Sequence, residues 1–324
     1  MNDRYARQTV LPQIGAAGQA RLAQAHVLVA GAGGLGCALM PYLAAAGVGH
    51  LDVFDHDRVE VSNLHRQPLY RMDDLGAPKA QAARAALLAL NPLISVTAHC
   101  ERLTPANVAA SVAGADVAID AADSLALTYM LSDACREAGK PLVSAQVLGL
   151  AGYVGVFCGG APSYRAVFPD MPPLAGNCAQ NGVLGTAVGV MGTLQAHLTL
   201  ALLLGLTPSP RGRLISIDFQ ALHFGGFGFS GASEPAQGSL TFIAVSDLTA
   251  HDVVIDLRSV TEAPASPVSG ALRLDVETLE RAPPRLPGEA RVVLCCRSGV
   301  RAWRAARALQ VHGYGNLALL ALGE

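Results

Sequence analysis

Chemistry in this 324-residue chain gathers where residue type and spacing agree, first of all in residues 27–79. V-L-V-A at Val27–Ala30 breaks into G-A-G-G-L-G at Gly31–Gly36 and resumes as L-D-V-F-D at Leu51–Asp55. That spacing predicts strand, glycine turn, helix, strand. Gly31, Gly33, Gly34 and Gly36 carry no side chains, so backbone N–H groups at the start of a helix can approach phosphate oxygens closely. Asp55, roughly 20 residues on, is placed to hold a ribose hydroxyl. Asn63, Arg66 and Gln67 follow, and Lys79 closes G-A-P-K. A dinucleotide brings only a pyrophosphate to such a turn. A triphosphate attacked at its α-phosphorus needs several cations about its β- and γ-oxygens, so the fuller pattern favours ATP. Lys79 and Lys140 are the only lysines, which sets Lys79 apart from a scattered solvating set.

A second stretch, V-V-L-C-C-R-S-G-V-R (Val292–Arg301), predicts a strand entering a six-residue loop, with a helix over 302–311. It resembles the rhodanese family, whose active loop reads C-R-x-G-x-R. Cys296 at the strand end would face the loop N–H groups and a helix N-terminus, which favours thiolate or persulfide, and Arg297 and Arg301 add positive charge. Cys295 points to the other face of the strand and is expected to be buried. Cys178, alone before a helix start, is open to two readings: a thiol of lowered pKa, or a small buried apolar residue.

The elements that must position these residues alternate. The alanine-rich residues 13–25 and 81–90 predict helices, the latter ended by Asn91-Pro92. Ser95–His99, Val117–Asp120, Pro141–Ser144 and Tyr153–Phe157 predict strands, and Asp123 falls just past a carboxyl end, where parallel sheets bind ligands. Val183–Leu206 is almost uncharged and long enough to cross a bilayer. Its Gln195, His197 and glycines, without flanking aromatic belts, favour a buried helix. Gly225–Gly238, rich in Gly, Ser, Pro and Ala, predicts a linker.

Taken together, R-Y-A-R-Q (Arg4–Gln8), G-A-G-G-L-G, D-x-D-x-V-x-x-S-N-L-x-R-Q, G-x-P-K, the D-A-A-D of Asp120–Asp123 and N-C-A-Q-N-G-V-L-G (Asn177–Gly185) resemble the ubiquitin-activating-enzyme-like adenylyltransferases of the MoeB/ThiF branch. The resemblance implies an α/β fold: a Rossmann-like doubly wound sheet with appended strands, followed by a small α/β rhodanese-like domain. The division expected is an adenylation domain over 1–225, a linker over 226–240 and the rhodanese-like domain over 241–324. It further implies ATP with Mg²⁺ held at Asp123, a hard carboxylate suited to that ion. Arg7 would reach into the site of a partner subunit, hence a homodimer, and the substrate would be a ubiquitin-like sulfur-carrier protein ending in Gly-Gly. Cys178 lies in the loop that, in the family, carries a cysteine engaging the activated carrier or is dispensable.

The chain departs from the family in two places. Ser124 and Thr128 stand where Asn and Arg are usual, which removes one expected cation. The family's zinc module of two C-x-x-C pairs meets Ser163–Ala166 and Phe224–Glu234, which supply none of the four ligands a closed site needs, so zinc is expected to be absent.

A formal charge of −2 offers no basic surplus for nucleic acid or an anionic membrane. Seven cysteines in a long chain without a signal segment point to reduced thiols in the cytoplasm. The function expected is ATP-dependent adenylation of the carrier's terminal glycine, with Cys296 delivering persulfide sulfur. Two readings of other classes stand beside it. An NAD-dependent oxidoreductase accounts for the glycines and Asp55 but leaves Arg66, Lys79 and Cys296 without a task. A carrier-binding scaffold with a decayed site accounts for Ser124 and Thr128.

Overall fold

Apolar, β-branched runs become the strands of the computed structural model, which describes residues 3–172, 182–235, 240–266, 268–287 and 290–323. The strands of the larger sheet are β1 (His26–Ala30), β2 (His50–Phe54), β3 (Ser95–His99), β4 (Val117–Asp120), β5 (Pro141–Leu148), β6 (Ala151–Cys158), β7 (Arg213–Asp218) and β8 (His223–Gly228). The smaller sheet holds β9 (Thr241–Phe242), β10 (Val253–Asp256), β11 (Leu272–Arg273), β12 (Val292–Cys296) and β13 (Leu317–Ala321). The helices are α1 (Ala6–Thr9), α2 (Gly15–Gln24), α3 (Gly34–Ala46), α4 (Lys79–Leu90), α5 (Val108–Gly114), α6 (Leu125–Glu137), α7 (Tyr164–Val167), α8 (Gly185–Leu204), α9 (Val276–Arg281) and α10 (Val300–Val311).

The larger sheet runs β3-β2-β1-β4-β5-β6-β7-β8, parallel through β5 and antiparallel beyond. The order reverses between β1 and β4, and a doubly wound sheet opens its ligand crevice there, at the carboxyl ends. The smaller sheet, β11-β10-β12-β13-β9, is parallel throughout. The expected α/β architecture is therefore present.

The apolar stretch expected as a buried helix is α8, and most of its length lies inside the fold. Its Gln195 donates through Nε2 to the Asp120 carbonyl at 2.7 Å, so the helix braces the end of β4.

Two expectations change. Gly225–Gly228, expected as the start of a linker, belong to β8 and pair with β7. An edge strand is held by backbone bonds and exposes its side chains, so glycine-rich composition does not exclude it. The helix expected from Ala302 begins at Val300, shortening the cysteine loop to Arg297–Gly299. Gly299 allows that sharp entry with a φ of 84°.

The smaller unit does not hang free. One apolar cluster runs from Leu28, Tyr129 and Phe157 through Leu240 and Phe242 to Cys296, Trp303 and Leu319. At its centre the Arg165 guanidinium lies 4.8 Å from the Tyr129 ring centre and 5.3 Å from that of Trp303. Arg165 is only 3% exposed, and a buried cation needs a full set of partners. It has them: a two-pronged pair with Asp133 at 2.6 and 2.7 Å, and the Leu240 carbonyl at 2.9 Å.

Candidate active site

The register of β1 brings the site together. Ala30 pairs with Phe54 on one side and Asp120 on the other, so Gly31, Asp55 and Ala121 leave the sheet side by side. Gly31 has a φ of 104°, and a Cβ there would stand 2.7 Å from the Ala121 carbonyl oxygen. A Cβ on Gly36 would collide with the Gly31 carbonyl oxygen, so backbone packs directly on backbone. Gly33 faces open space, with only Gln67 Nε2 at 3.9 Å. Gly34 abuts the Arg66 carbonyl oxygen, which lies 3.4 Å from where its Cβ would be. The expected turn and the Arg66–Gln67 segment thus lie against one another.

Asp55 does more than wait for a ligand. Its Oδ2 accepts from the Ala32 N–H at 2.8 Å and its Oδ1 from the Asp57 N–H at 2.8 Å, so it also holds the turn in shape. Burial raises its pKa, and the nearby Lys79 only partly offsets this. Lys79 is the larger surprise. Expected as a phosphate-facing cation, it is 6% exposed and donates through Nζ to Asp57 Oδ2 at 2.9 Å. A buried ammonium requires a counter-charge. Burial works against the Asp57 charge, but the Lys79 hydrogen bond together with the charges of Lys79, His56 and Arg102 outweighs it and holds that carboxyl below the usual range. Sequence reasoning passed over Asp57, whose signal was its place in the same D-x-D string.

Asn63 is buried, its Oδ1 accepting from the Glu60 N–H at 3.3 Å to shape the loop before Arg66. Arg66 donates from Nη1 to the Ser62 carbonyl at 3.1 Å and touches His65 Nε2 at 2.8 Å. Gln67 is 2% exposed, and its Oε1 is buried with no hydrogen-bond partner among the described residues. An open glycine beside an arginine fits a phosphate-bearing group, and the orphaned Oε1 acceptor calls for a donor such as a hydroxyl or an amino group.

Asp123 is exposed on the loop that follows β4, whose backbone abuts Gly31. Next to it, Ser124 accepts from the Leu127 N–H at 3.4 Å and so caps α6. Thr128, in the place of the expected cation, is buried and donates to Asp120 Oδ2 at 2.7 Å, joined there by the Ser144 hydroxyl at 2.8 Å. Burial pushes the Asp120 carboxyl up to about 6. The D-A-A-D string marked the place, but burial of its first member is a property of the assembled sheet.

Arg7 is not brought to this site within one protomer. Gln8 Nε2 donates to the Ala46 carbonyl at 3.0 Å, which places exposed α1 by the far end of α3, about 18 Å along the helix from the turn. Cys178 lies outside the described residues.

Cys296 meets the expected donors. The N–H groups of Gly299 and Ala302 point at its Sγ from 3.1 and 3.4 Å. Arg301 approaches it too, held by Glu262 and the Leu257 carbonyl. The expected stabilised thiolate is nonetheless corrected. Cys296 has no exposed surface, and burial raises its pKa further than these donors and Arg301 lower it. Cys295 is buried on the opposite face, as expected.

At the two positions of the family's zinc module, the Ser163 N–H and hydroxyl both bond the Glu234 carboxylate, at 2.7 and 2.6 Å. Arg136 lies 3.6 Å from the same carboxylate. These residues do not fit a zinc ion, and they join the two segments by another means.

Residues 5–233 match the family model described as "ThiF family". The chain belongs to the ThiF family. Its match ends one residue before Glu234, so β8 lies inside the ThiF region and the smaller unit outside it. Among curated relatives, the adenylyltransferase and sulfurtransferase MOCS3 of Sus scrofa is 48% identical over 66% of this chain and 48% of its own length. The sulfur carrier protein adenylyltransferase of Thermus thermophilus is 45% identical over 67% of this chain and 83% of its own. The chain spans about half the length of the MOCS3 relatives it matches. Among solved structures, E. coli MccB with the peptide MccA-N7isoASN has a TM-score of 0.64 at 22% identity, covering 74% of this chain and 75% of that one. That likeness is one of fold.

Proposed function

We propose that this chain adenylates the C-terminal carboxylate of a ubiquitin-like sulfur-carrier protein ending in Gly-Gly, using ATP and Mg²⁺, and that a persulfide on Cys296 then attacks the adenylated carboxylate, expelling AMP. A second thiol releases the thiocarboxylate from the resulting acyl disulfide, leaving a disulfide to Cys296 for a cellular thiol to reduce. The observation that carries the first half is the convergence of the glycine turn, Arg66, Gln67 and the Asp123 loop at the β1/β4 switch point. The names of the relatives in Sus scrofa and Thermus thermophilus support the choice of substrate.

The turn's N–H groups and the Gln67 Nε2 amide would bind phosphate oxygens, Asp55 a ribose hydroxyl, and Asp123 with Asp57 the metal ion. ATP supplies an electrophilic α-phosphorus with pyrophosphate as leaving group. Lys79 would neutralise phosphate charge once Asp57 is drawn toward a divalent ion. Arg7 would enter from a partner subunit, so the working form would be a homodimer, and the unpaired cysteines among the described residues support a cytoplasmic setting. Cys178 would engage the carrier after adenylation.

The test is carrier-dependent ATP–pyrophosphate exchange. Lys79→Ala and Asp123→Ala should each lower the rate by about 10²–10³, since removing one pre-placed charge or donor at such a site costs that much. Exchange at the wild-type rate in both variants would remove the site from the reaction.

A further inference from the structure

Three adjacent strands carry a polar cluster on one face of the larger sheet, running from the amino ends of β1 and β2 to the carboxyl end of β3. His26 of β1, His50 and Asp52 of β2, and His99 of β3 share one face. His26 is the register partner of His50, and Asp52 lies between them and His99 on the diagonal. His26 Nε2 is 2.6 Å from Asp52 Oδ2, while His50 Nε2 and His99 Nε2 are 3.4 and 2.9 Å from Oδ1. The four side chains are 19–30% exposed, so an ion can enter from solvent.

The Ser95 hydroxyl lies 2.6 Å from His50 Nδ1 and 3.1 Å from the Gly49 carbonyl, so it can accept from Nδ1–H while donating to that carbonyl, which is the arrangement a ligating Nε2 requires. His50 Nε2 then carries a lone pair, and it points toward a carboxylate oxygen. In that arrangement Nε2 is free to share a cation with the Asp52 carboxylate. Without one, the donor at hand is the Thr97 hydroxyl, 3.3 Å from Nε2.

We propose that His26 Nε2, His50 Nε2 and Asp52 Oδ2 bind a divalent transition ion of the zinc class, with His99 holding Asp52 from the far oxygen. Their ligand atoms all lie within 4.8 Å of one another, with His26 Nε2 and Asp52 Oδ2 2.6 Å apart, so small side-chain adjustments bring them to the spacing of about 3.3 Å that bonds near 2.0–2.1 Å give in a tetrahedron. Ser95 behind His50 is the kind of outer partner that orients a ligating imidazole. The fourth position is left to water. Such an ion would tie β1 to β2 at the end opposite the nucleotide turn. It is distinct from the zinc module of the family, whose positions are taken here by Ser163 and Glu234.

The full chain, stripped with a chelator, is titrated with Zn²⁺ by calorimetry and with Co²⁺ by visible absorption, and melted with and without Zn²⁺. The expected result is one equivalent bound, a tetrahedral cobalt spectrum without thiolate charge transfer, and a melting temperature higher by a few degrees at about 100 times Kd. His26→Gln and His50→Gln should each weaken binding by at least about tenfold, as second-shell losses already cost that much. Both variants should melt normally in chelator. Failure to saturate below about 100 µM Zn²⁺, an affinity near −5.5 kcal/mol, would overturn the proposal. So would unchanged affinity in both variants, or binding abolished by cysteine alkylation.

Discussion

Asp120 shows how a residue at the site is tuned by what surrounds it rather than by its neighbours in sequence. Its carboxyl has no exposed surface, and burial lifts it to about 6 even with Thr128 and Ser144 donating to it. An acid whose folded pKa lies above its unfolded value, near 3.8 here, stabilises the fold below that value. The contribution is lost as pH rises through about 6. A displacement of that size corresponds to about 3 kcal/mol. Asp120→Asn should therefore flatten the fall in unfolding free energy between about pH 4 and 7 by up to ~3 kcal/mol in urea titrations. Equal slopes in the two proteins would place the Asp120 titration outside this window. Lys79 carries the same lesson with opposite charge. Its identity could be read from G-A-P-K, whereas its pairing with Asp57 follows from burial at the start of α4.

At the scale of elements, what could be read in the sequence is what local rules govern. The β1–turn–α3–β2 unit was legible because glycine placement and β-branched runs are short-range signals. The β8 strand was not, because a glycine-rich edge strand pairs through backbone and exposes Phe224 and Phe227 at 68% and 52%. Nor was the Ser163–Glu234 clamp, which joins residues 71 apart. Two substitutions separate the roles of the glycines. Gly31→Ala must place a side chain at a φ of 104°, 2.7 Å from a carbonyl oxygen, and should destabilise by at least about 1–3 kcal/mol in urea unfolding. Gly33→Ala has room, so its stability should stay within about 1 kcal/mol of wild type, while the new methyl group keeps phosphate oxygens from the turn and weakens ATP binding. Unchanged ATP affinity in Gly33→Ala would take the turn out of nucleotide binding.

The whole molecule changes the reading of Cys296. A free-swinging domain on a glycine-rich linker would present its cysteine to solvent and to the adenylate in turn. Instead the loop after Cys296 sits against α6, with a Cβ on Gly299 placed 3.1 Å from that of Ala126 and 2.7 Å from the Phe242 ring. That helix starts directly after the Asp123 loop, so the sulfur lies near the candidate nucleotide site and is sealed there. If the smaller unit moves as a body, a reagent reaches Cys296 when that unit lifts from α6, and the contacts that hold it are those of Arg165 with the Tyr129 and Trp303 rings. Arg165→Met leaves Asp133 without its bidentate partner and frees the Leu240 carbonyl, and Trp303→Ala opens a void that typically costs 3–5 kcal/mol. Native-state alkylation reports such opening, with each 1.4 kcal/mol of lost docking energy raising the rate about tenfold while reclosing stays fast. Iodoacetamide labelling of the Cys296 peptide, followed by mass spectrometry, should therefore accelerate at least about tenfold in both variants, with Cys135 in the core of the larger unit as the internal reference. Wild-type labelling rates in both would mean that Cys296 is covered from within its own unit, and that sulfur reaches it by local opening of the 297–299 loop.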